Sequence, residues 1–428
     1  MRQIDGSICA PRGFKAAAVF CDIKRLGTGK GSEKQKKGDL ALIVSDRPAA
    51  IAGLFTTNRV AAAPVKLSAK RAAQDFAQAI MVNSGNANAC TGATGMRDAR
   101  EMAQLTARAL DLRERDVVVC STGRIGVAMP MENVRCGIRG AAEKLGANAH
   151  AVAEAIMTSD TRPKEIAVEI EIDRTCVRIG GICKGAGMIH PKLKSLHATM
   201  LAFISTDAAI APAVLKRALA IAVEQSFNRI SVDGDMSTND SVIALANGAA
   251  GNRQLVRPRA QFQEALNFVT LELAKMIVKD GEGVSRFITL HVRGARTAAD
   301  AERVARSIAN SVLVKTSWCG GDPNWGRILC AIGYSGVKID EQKVAIGYSA
   351  ANRRAQARTA PAVIAFRRGR PTDVGFAEFT ALTSQPEFDV HIDLHAGKSD
   401  TTFYTCDLTE DYVAFNKGDV NDPSALGG

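Results

Sequence analysis

Glu165-Ile166-Ala167-Val168-Glu169-Ile170-Glu171-Ile172 sets a β-branched residue at every second position. A period of two puts Ile166, Val168, Ile170 and Ile172 on one buried face and the glutamates on a solvated one. Asp173-Arg174-Thr175 turns the chain back, and Cys176-Val177-Arg178-Ile179 reads as the hairpin partner. A glycine-rich run follows, Gly180-Gly181-Ile182-Cys183-Lys184-Gly185-Ala186-Gly187-Met188. It leads through His190-Pro191 to Ala198-Thr199 and a buried strand over 200–205.

Working outward, 40–44, 79–82 and 117–120 read as strands, and 83–92 as a polar, turn-rich loop. A helix is expected over 97–112, where Met102, Leu105, Ala109 and Leu112 share a face. Further helices are expected over 133–145, 148–157, 211–227, 258–279 and 298–310, with strands at 287–292, 311–314, 343–346, 363–365 and 388–394. The order strand, strand, helix recurs without a tandem repeat. It predicts an α/β protein of layered, mixed or antiparallel sheets, without strict βαβ alternation.

The chain has 428 residues, 46% hydrophobic and 23% charged, so a sizeable core is available. The net charge of +11 suits an anionic partner. The densest basic clusters, Lys34 to Lys37 and Arg367 to Arg370, are not interleaved with aromatics, which argues against nucleic acid. A small acidic substrate fits better. Ten scattered cysteines without a CxxC pair give no zinc spacing and fit a reducing, cytoplasmic setting. The N-terminus lacks the apolar run of a signal peptide, and no stretch approaches 18 apolar residues, so no membrane span is expected.

Several motifs fail on inspection. Gly27-Thr28-Gly29-Lys30-Gly31-Ser32 has Gly31 where a phosphate loop needs Ser or Thr. Asp233 to Asp240 starts like a calcium loop, but Thr238 replaces the glycine and Ala244 the glutamate. Asn239-Asp240-Ser241 is a formal glycosylation triplet, of no consequence in a cytoplasmic protein. The six histidines show no HExxH spacing.

Small residues ahead of a hydroxyl residue that opens a strand suit close approach to the backbone before Thr199. On spacing alone, an ordinary glycine-rich connection into a strand is the favoured reading. Thr122-Gly123, after the strand at 117–120, likewise reads as a plain strand-to-turn pair or as a pair of hydrogen-bond donors.

Lys184-Gly185-Ala186-Gly187-Met188 with Ala198-Thr199 resembles the ornithine acetyltransferase family, also called the glutamate N-acetyltransferase or ArgJ family. The resemblance covers nearly the whole chain. It includes Phe55-Thr56-Thr57-Asn58, the stretch Asn83 to Gly92, Ser121 to Gly126, Met157-Thr158-Ser159-Asp160-Thr161, Ser231 to Asp235, Asp280-Gly281-Glu282-Gly283 and Asp322 to Leu329. It implies an αββα-type layered sandwich that cuts itself between Ala198 and Thr199, into fragments 1–198 and 199–428. These would assemble as a heterotetramer of two of each. The freed α-amine, with a reference pKa of about 7.7–8.0, would act as base to the Thr199 hydroxyl.

The implied reaction moves an acetyl group from N-acetylornithine to L-glutamate in arginine biosynthesis, with no metal or bound cofactor. Acetyl-CoA is a possible co-substrate. Thr122 and Gly123 would form the oxyanion hole. Thr158, Lys184, Thr199, Glu282, Asn416 and a hydroxyl residue in the tail would contact substrate. This chain departs twice. About four extra residues lie within Lys192 to His197, before the scissile bond, and Asn421 stands where the tail's hydroxyl residue is expected. An amidase or aminopeptidase with the same nucleophile, or a non-catalytic amino-acid-binding relative, are the alternative readings.

Overall fold

The computed structural model describes residues 1–24, 37–192, 200–351 and 362–417. The chain divides into two units, Met1–Asn228 with Asp235–Ile277, and Arg229–Gly234 with Val278–Lys417.

In the first unit the strands are β1 (Arg2–Ile4), β2 (Phe14–Val19), β3 (Leu40–Phe55), β4 (Phe76–Asn86), β5 (Val117–Arg124), β6 (Lys164–Ile172), β7 (Thr175–Lys184), β8 (Leu201–Thr206) and β9 (Ser241–Ala246). The helices are α1 (Ala63–Ala72), α2 (Gly92–Ala109), α3 (Met131–Glu143), α4 (Ala149–Ala155), α5 (Pro212–Glu224) and α6 (Ala260–Lys279). The strands form one mixed sheet in the order β1-β6-β7-β8-β9-β3-β4-β5, with β2 also on β3. Pairs β4/β5 and β8/β9 are parallel. The hairpin expected from Glu165–Ile172 is present, and Ile170 lies opposite Val177.

β3 shifts register between Val44 and Ala49. Its first part pairs with β2 and its second with β9, so the sheet splits into two halves there. Ile182, Leu201 and Phe203 from one half share an apolar cluster with Ile80, Val82 and Val118 from the other. On the opposite face of β3 to β5, Leu42, Met81 and Val119 pack against Met102 of α2 and Ile138 of α3. On the opposite face of β7, the Cys183 thiol lies 3.5 Å from the Leu273 carbonyl of α6. Helices therefore lie outside strands, the layering expected of the αββα class. Burying a side chain such as Phe203 contributes about 1.5–3 kcal/mol.

The second unit contains β10 (Phe287–Ala295), β11 (Ala345–Ala350), β12 (Val363–Arg367), β13 (Arg370–Pro371), β14 (Glu387–Asp393) and β15 (Ser399–Cys406). They form a mixed sheet ordered β13-β12-β11-β14-β10-β15. Its helices are α7 (Ala298–Ala309), α8 (Val312–Cys319), α9 (Trp325–Gly333), α10 (Phe376–Thr383) and α11 (Glu410–Asn416). Ile288, Leu290, Val390 and Ile392 face Val304, Trp318 and Ile328 in one core.

Two expectations need correcting. Residues 311–314 are not a strand. Ser311 caps α8 by accepting from the Val314 N–H, and Val314 and Trp318 form its buried face. The β-branched residues suggested a strand, but Val312 and Leu313 are exposed. The stretch 83–92 is a loop only in its later part, since β4 runs to Asn86. Among the described residues no helix is long and apolar enough to cross a membrane.

Candidate active site

The end of β5 carries Thr122-Gly123. In the parallel register with β4, Thr122 lies opposite Ser84 and Gly123 opposite Gly85. Gly123 has φ of 127°, and a Cβ there would sit 2.4 Å from the Gly85 carbonyl carbon. Only glycine allows the two backbones to lie so close. Asn83, Ser84, Asn86 and Asn88 beside it are fully buried, and buried polar groups require partners. The Ser121 hydroxyl donates to Asn83 Oδ1 at 2.6 Å, and Asn83 Nδ2 to the Asn86 carbonyl at 2.9 Å. The polar block is thus a rigid internal network rather than a solvated loop.

Asn239 joins this network to the other half of the sheet. Its side-chain nitrogen donates to the Ala87 carbonyl at 2.6 Å and to the Ser121 carbonyl at 2.8 Å. Two residues on, the Ser241 N–H donates to the Met200 carbonyl at 2.7 Å. Met200 is buried and is bonded in sequence to Thr199. Leu201 pairs with Ser241 on one side and with Lys184 on the other. The end of β7, the start of β8 and the turn after β5 are therefore tied together through residues 239–241. Thr199 and Ala198 themselves lie outside the described residues.

Lys184, 5% exposed, ends β7. Near it the buried Asp160 carboxylate collects three groups. One oxygen accepts from Lys164 Nζ at 2.6 Å and from the Gly185 N–H at 2.7 Å, and the other from the Thr158 N–H at 3.0 Å. Burial by itself raises the Asp160 pKa. The ammoniums of Lys184 and Lys164 and the Gly185 N–H outweigh it and hold the pKa at about 2. Asp160 fixes the backbone at both Thr158 and Gly185, and leaves the Thr158 side chain exposed. Lys24 adds a further cation. Its Nζ donates to the carbonyls of Gly38 at 3.0 Å and Ala155 at 3.4 Å, and the Ser84 hydroxyl reaches that Ala155 carbonyl at 2.5 Å. Burial pushes the Lys24 pKa down to about 8.

In the second unit, Asn416 Nδ2 donates to Glu282 Oε2 at 2.8 Å. Thr409 caps α11 and donates its hydroxyl to the Gly283 carbonyl at 2.6 Å. Gly283 has φ of 66°, and its backbone lies so close to Tyr412 that a Cβ would be 2.4 Å from the Tyr412 nitrogen. The helix end and the Glu282 loop are thereby locked together.

Of the residues singled out in the sequence, Thr122, Gly123, Thr158 and Lys184 belong to the first unit, and Glu282 and Asn416 pair in the second. Asn421, with Ala198 and Thr199, lies outside the described residues. Sequence reading missed Asn239, which showed only within a rejected calcium-like stretch and a glycosylation triplet. It also passed over Lys24, and took Asp160 only as one letter of a block.

A family model described as the ArgJ family matches residues 17–418. The chain belongs to the ArgJ family. It is similar to the arginine biosynthesis bifunctional protein ArgJ of Symbiobacterium thermophilum, at 45% identity over 97% of this chain and 99% of that protein. The glutamate N-acetyltransferase of Methanocaldococcus jannaschii is 43% identical over 97% and 99%. Among solved ArgJ-family structures, ornithine acetyltransferase of Mycobacterium tuberculosis in complex with ornithine is 35% identical. It covers 45% of this chain and 99% of its own, with a TM-score of 0.41.

Proposed function

We propose that this ArgJ-family enzyme cuts its own Ala198–Thr199 bond and then uses Thr199 to carry an acetyl group from N-acetylornithine to L-glutamate. In the precursor the Thr199 hydroxyl attacks the Ala198 carbonyl carbon, the peptide nitrogen leaves as the amine of Thr199, and water hydrolyses the resulting ester. That amine then takes the proton of its own hydroxyl as the oxygen attacks the acetyl carbonyl. The Thr122 hydroxyl and the Gly123 N–H receive the developing oxyanion. Ornithine leaves with the proton, and the glutamate amine attacks the acetyl-threonine ester. Lys184 is assigned to a substrate carboxylate, Thr158 to a further substrate contact, and Glu282 with Asn416 to the amino group.

The observation that carries this reading is the junction at the start of β8. Lys184 lies beside Leu201 in register. The residue bonded to Thr199 is joined through Ser241 and Asn239 to the turn that holds Thr122 and Gly123. Cation, strand entry and donor pair therefore meet on one framework. The names of the similar proteins support the substrate class, and acetyl-CoA is proposed as a second acetyl donor. β8 and β9, from the proposed fragment 199–428, lie between β7 and β3 of fragment 1–198. Strands inserted in mid-sheet keep the fragments together after cleavage. Two copies of each would form a heterotetramer in the cytoplasm.

Intact-mass measurement tests the first step. Purified protein is expected as two fragments divided at 198/199, and the Thr199→Ala variant as one 45.3 kDa chain. A wild type with no fragment beginning at Thr199 overturns the mechanism. Incubation with N-acetylornithine then separates acetyl transfer, which needs glutamate, from acetate release by a hydrolase and from no turnover at all.

A further inference from the structure

The second sheet carries a donor cluster that the acetyl-transfer reading does not use. β10 and β14 are parallel neighbours, and their register sets His291 directly opposite His391. Asp389, two residues before His391, shares its face of the sheet. The intervening Val390, with Leu290 and Val292, points into the helix-covered core. The three polar groups therefore lie on the face turned away from α7 to α9. The imidazoles stack with centroids 4.9 Å apart and planes at 13°. His291 Nε2 is 3.2 Å from Asp389 Oδ2. One ligand atom from each residue lies within 4.8 Å of the other two. Asp389 is 4% exposed, while the His291 side chain, at 16%, is within reach of solvent.

We propose that His291, Asp389 and His391 form a binding site for a divalent transition-metal ion of the zinc class. Two imidazoles and one carboxylate suit zinc, cobalt or nickel, whereas magnesium and calcium favour all-oxygen sets. Bonds of about 2.1 Å in a tetrahedral site separate the donors by about 3.4 Å. The donor atoms, within 4.8 Å of one another, would close by up to about 1.4 Å to reach that size. Three protein ligands leave one position for water, the open type of zinc site. Ser349 Oγ, 2.8 Å from His391 Nε2, holds that ring from outside, as partners of metal-bound histidines do. The ion would cross-link β10 to β14 within the second unit.

The test uses reduced, chelator-treated full-length protein titrated with cobalt(II) and with zinc(II). Expected are one ion per chain at micromolar concentration or below, and visible cobalt bands of a nitrogen–oxygen ligand set. Thiolate-to-cobalt absorption must be absent from this site, because the chain also has ten cysteines. His291→Asn, Asp389→Asn and His391→Asn are each expected to weaken binding at least about tenfold. His395→Asn, outside the cluster, should leave it unchanged. Circular dichroism identifies any variant that fails to fold, and the remaining two then decide. Absence of stoichiometric binding, a thiolate spectrum only, or equal affinity in the folded cluster variants overturns the proposal.

Discussion

The side-chain amide of Asn416 donates a 2.8 Å hydrogen bond to the carboxylate of Glu282, across 134 residues of sequence. Helix α11 and the loop after α6 thus present one paired polar group. If the pair holds the substrate amino group, Glu282→Gln should raise KM for N-acetylornithine roughly 10–100-fold, the size of a lost charged hydrogen bond. Asn416→Ala should act in the same direction by less. Self-cleavage, followed by intact mass, should be normal in both. Unchanged KM in the two variants would remove the pair from the substrate site.

The Thr122 hydroxyl and the Gly123 N–H are assigned to the oxyanion. Thr122→Val should lower kcat by ~10²–10³ with a small change in the urea midpoint. Gly123→Ala meets a different obstacle. Its φ of 127° and the nearby Gly85 backbone leave no space for a methyl group. The turn should distort, and unprocessed 45.3 kDa chain should accumulate. Full turnover in Thr122→Val would move the oxyanion hole elsewhere.

Asp160 predicts an acid limb of stability. Its folded pKa of about 2 lies below the unfolded reference of about 3.9. Its contribution, about 2–3 kcal/mol, is therefore complete above about pH 4 and is lost as pH falls through 2. Asp160→Asn leaves the Lys164 ammonium buried without its carboxylate and should cost about 3–5 kcal/mol at pH 7. Urea unfolding between pH 2 and 7 should show the gap between wild type and variant narrowing toward pH 2. A gap that is constant with pH would mean that the carboxylate charge is not what stabilises this corner.

Asn239 gives the sharpest distinction between positioning and plain support. Asn239→Ala removes the donor to two buried carbonyls, at about 1–3 kcal/mol for each group left unsatisfied. Asn239→Asp sets a carboxylate against those same oxygens and should be worse. If Asn239 positions the Thr122–Gly123 turn, the Ala variant should lose kcat at temperatures where it is still fully folded, with KM little changed. A variant that loses stability but keeps kcat would assign Asn239 to the scaffold alone.

Local periodicity determined much of this protein. The alternation in Glu165–Ile172 specified a half-buried strand and its hairpin with β7, and the helical face of Met102 specified α2. Both signals lie within a few residues, where backbone geometry converts spacing directly into burial. The ordered blocks from Phe55 to Leu329 were likewise legible as family signatures, and the match over residues 17–418 agrees with them. Tertiary structure decided the rest. Ser311-Val312-Leu313-Val314 became a helix because Ser311 caps it and Trp318 anchors it in the core. Asn239 joined Ser121 across 118 residues, and His291 met Asp389 across 98. No short spacing encodes such pairs. They arise from strand order and register, which are set by the packing of whole faces and by the need to satisfy every buried polar group.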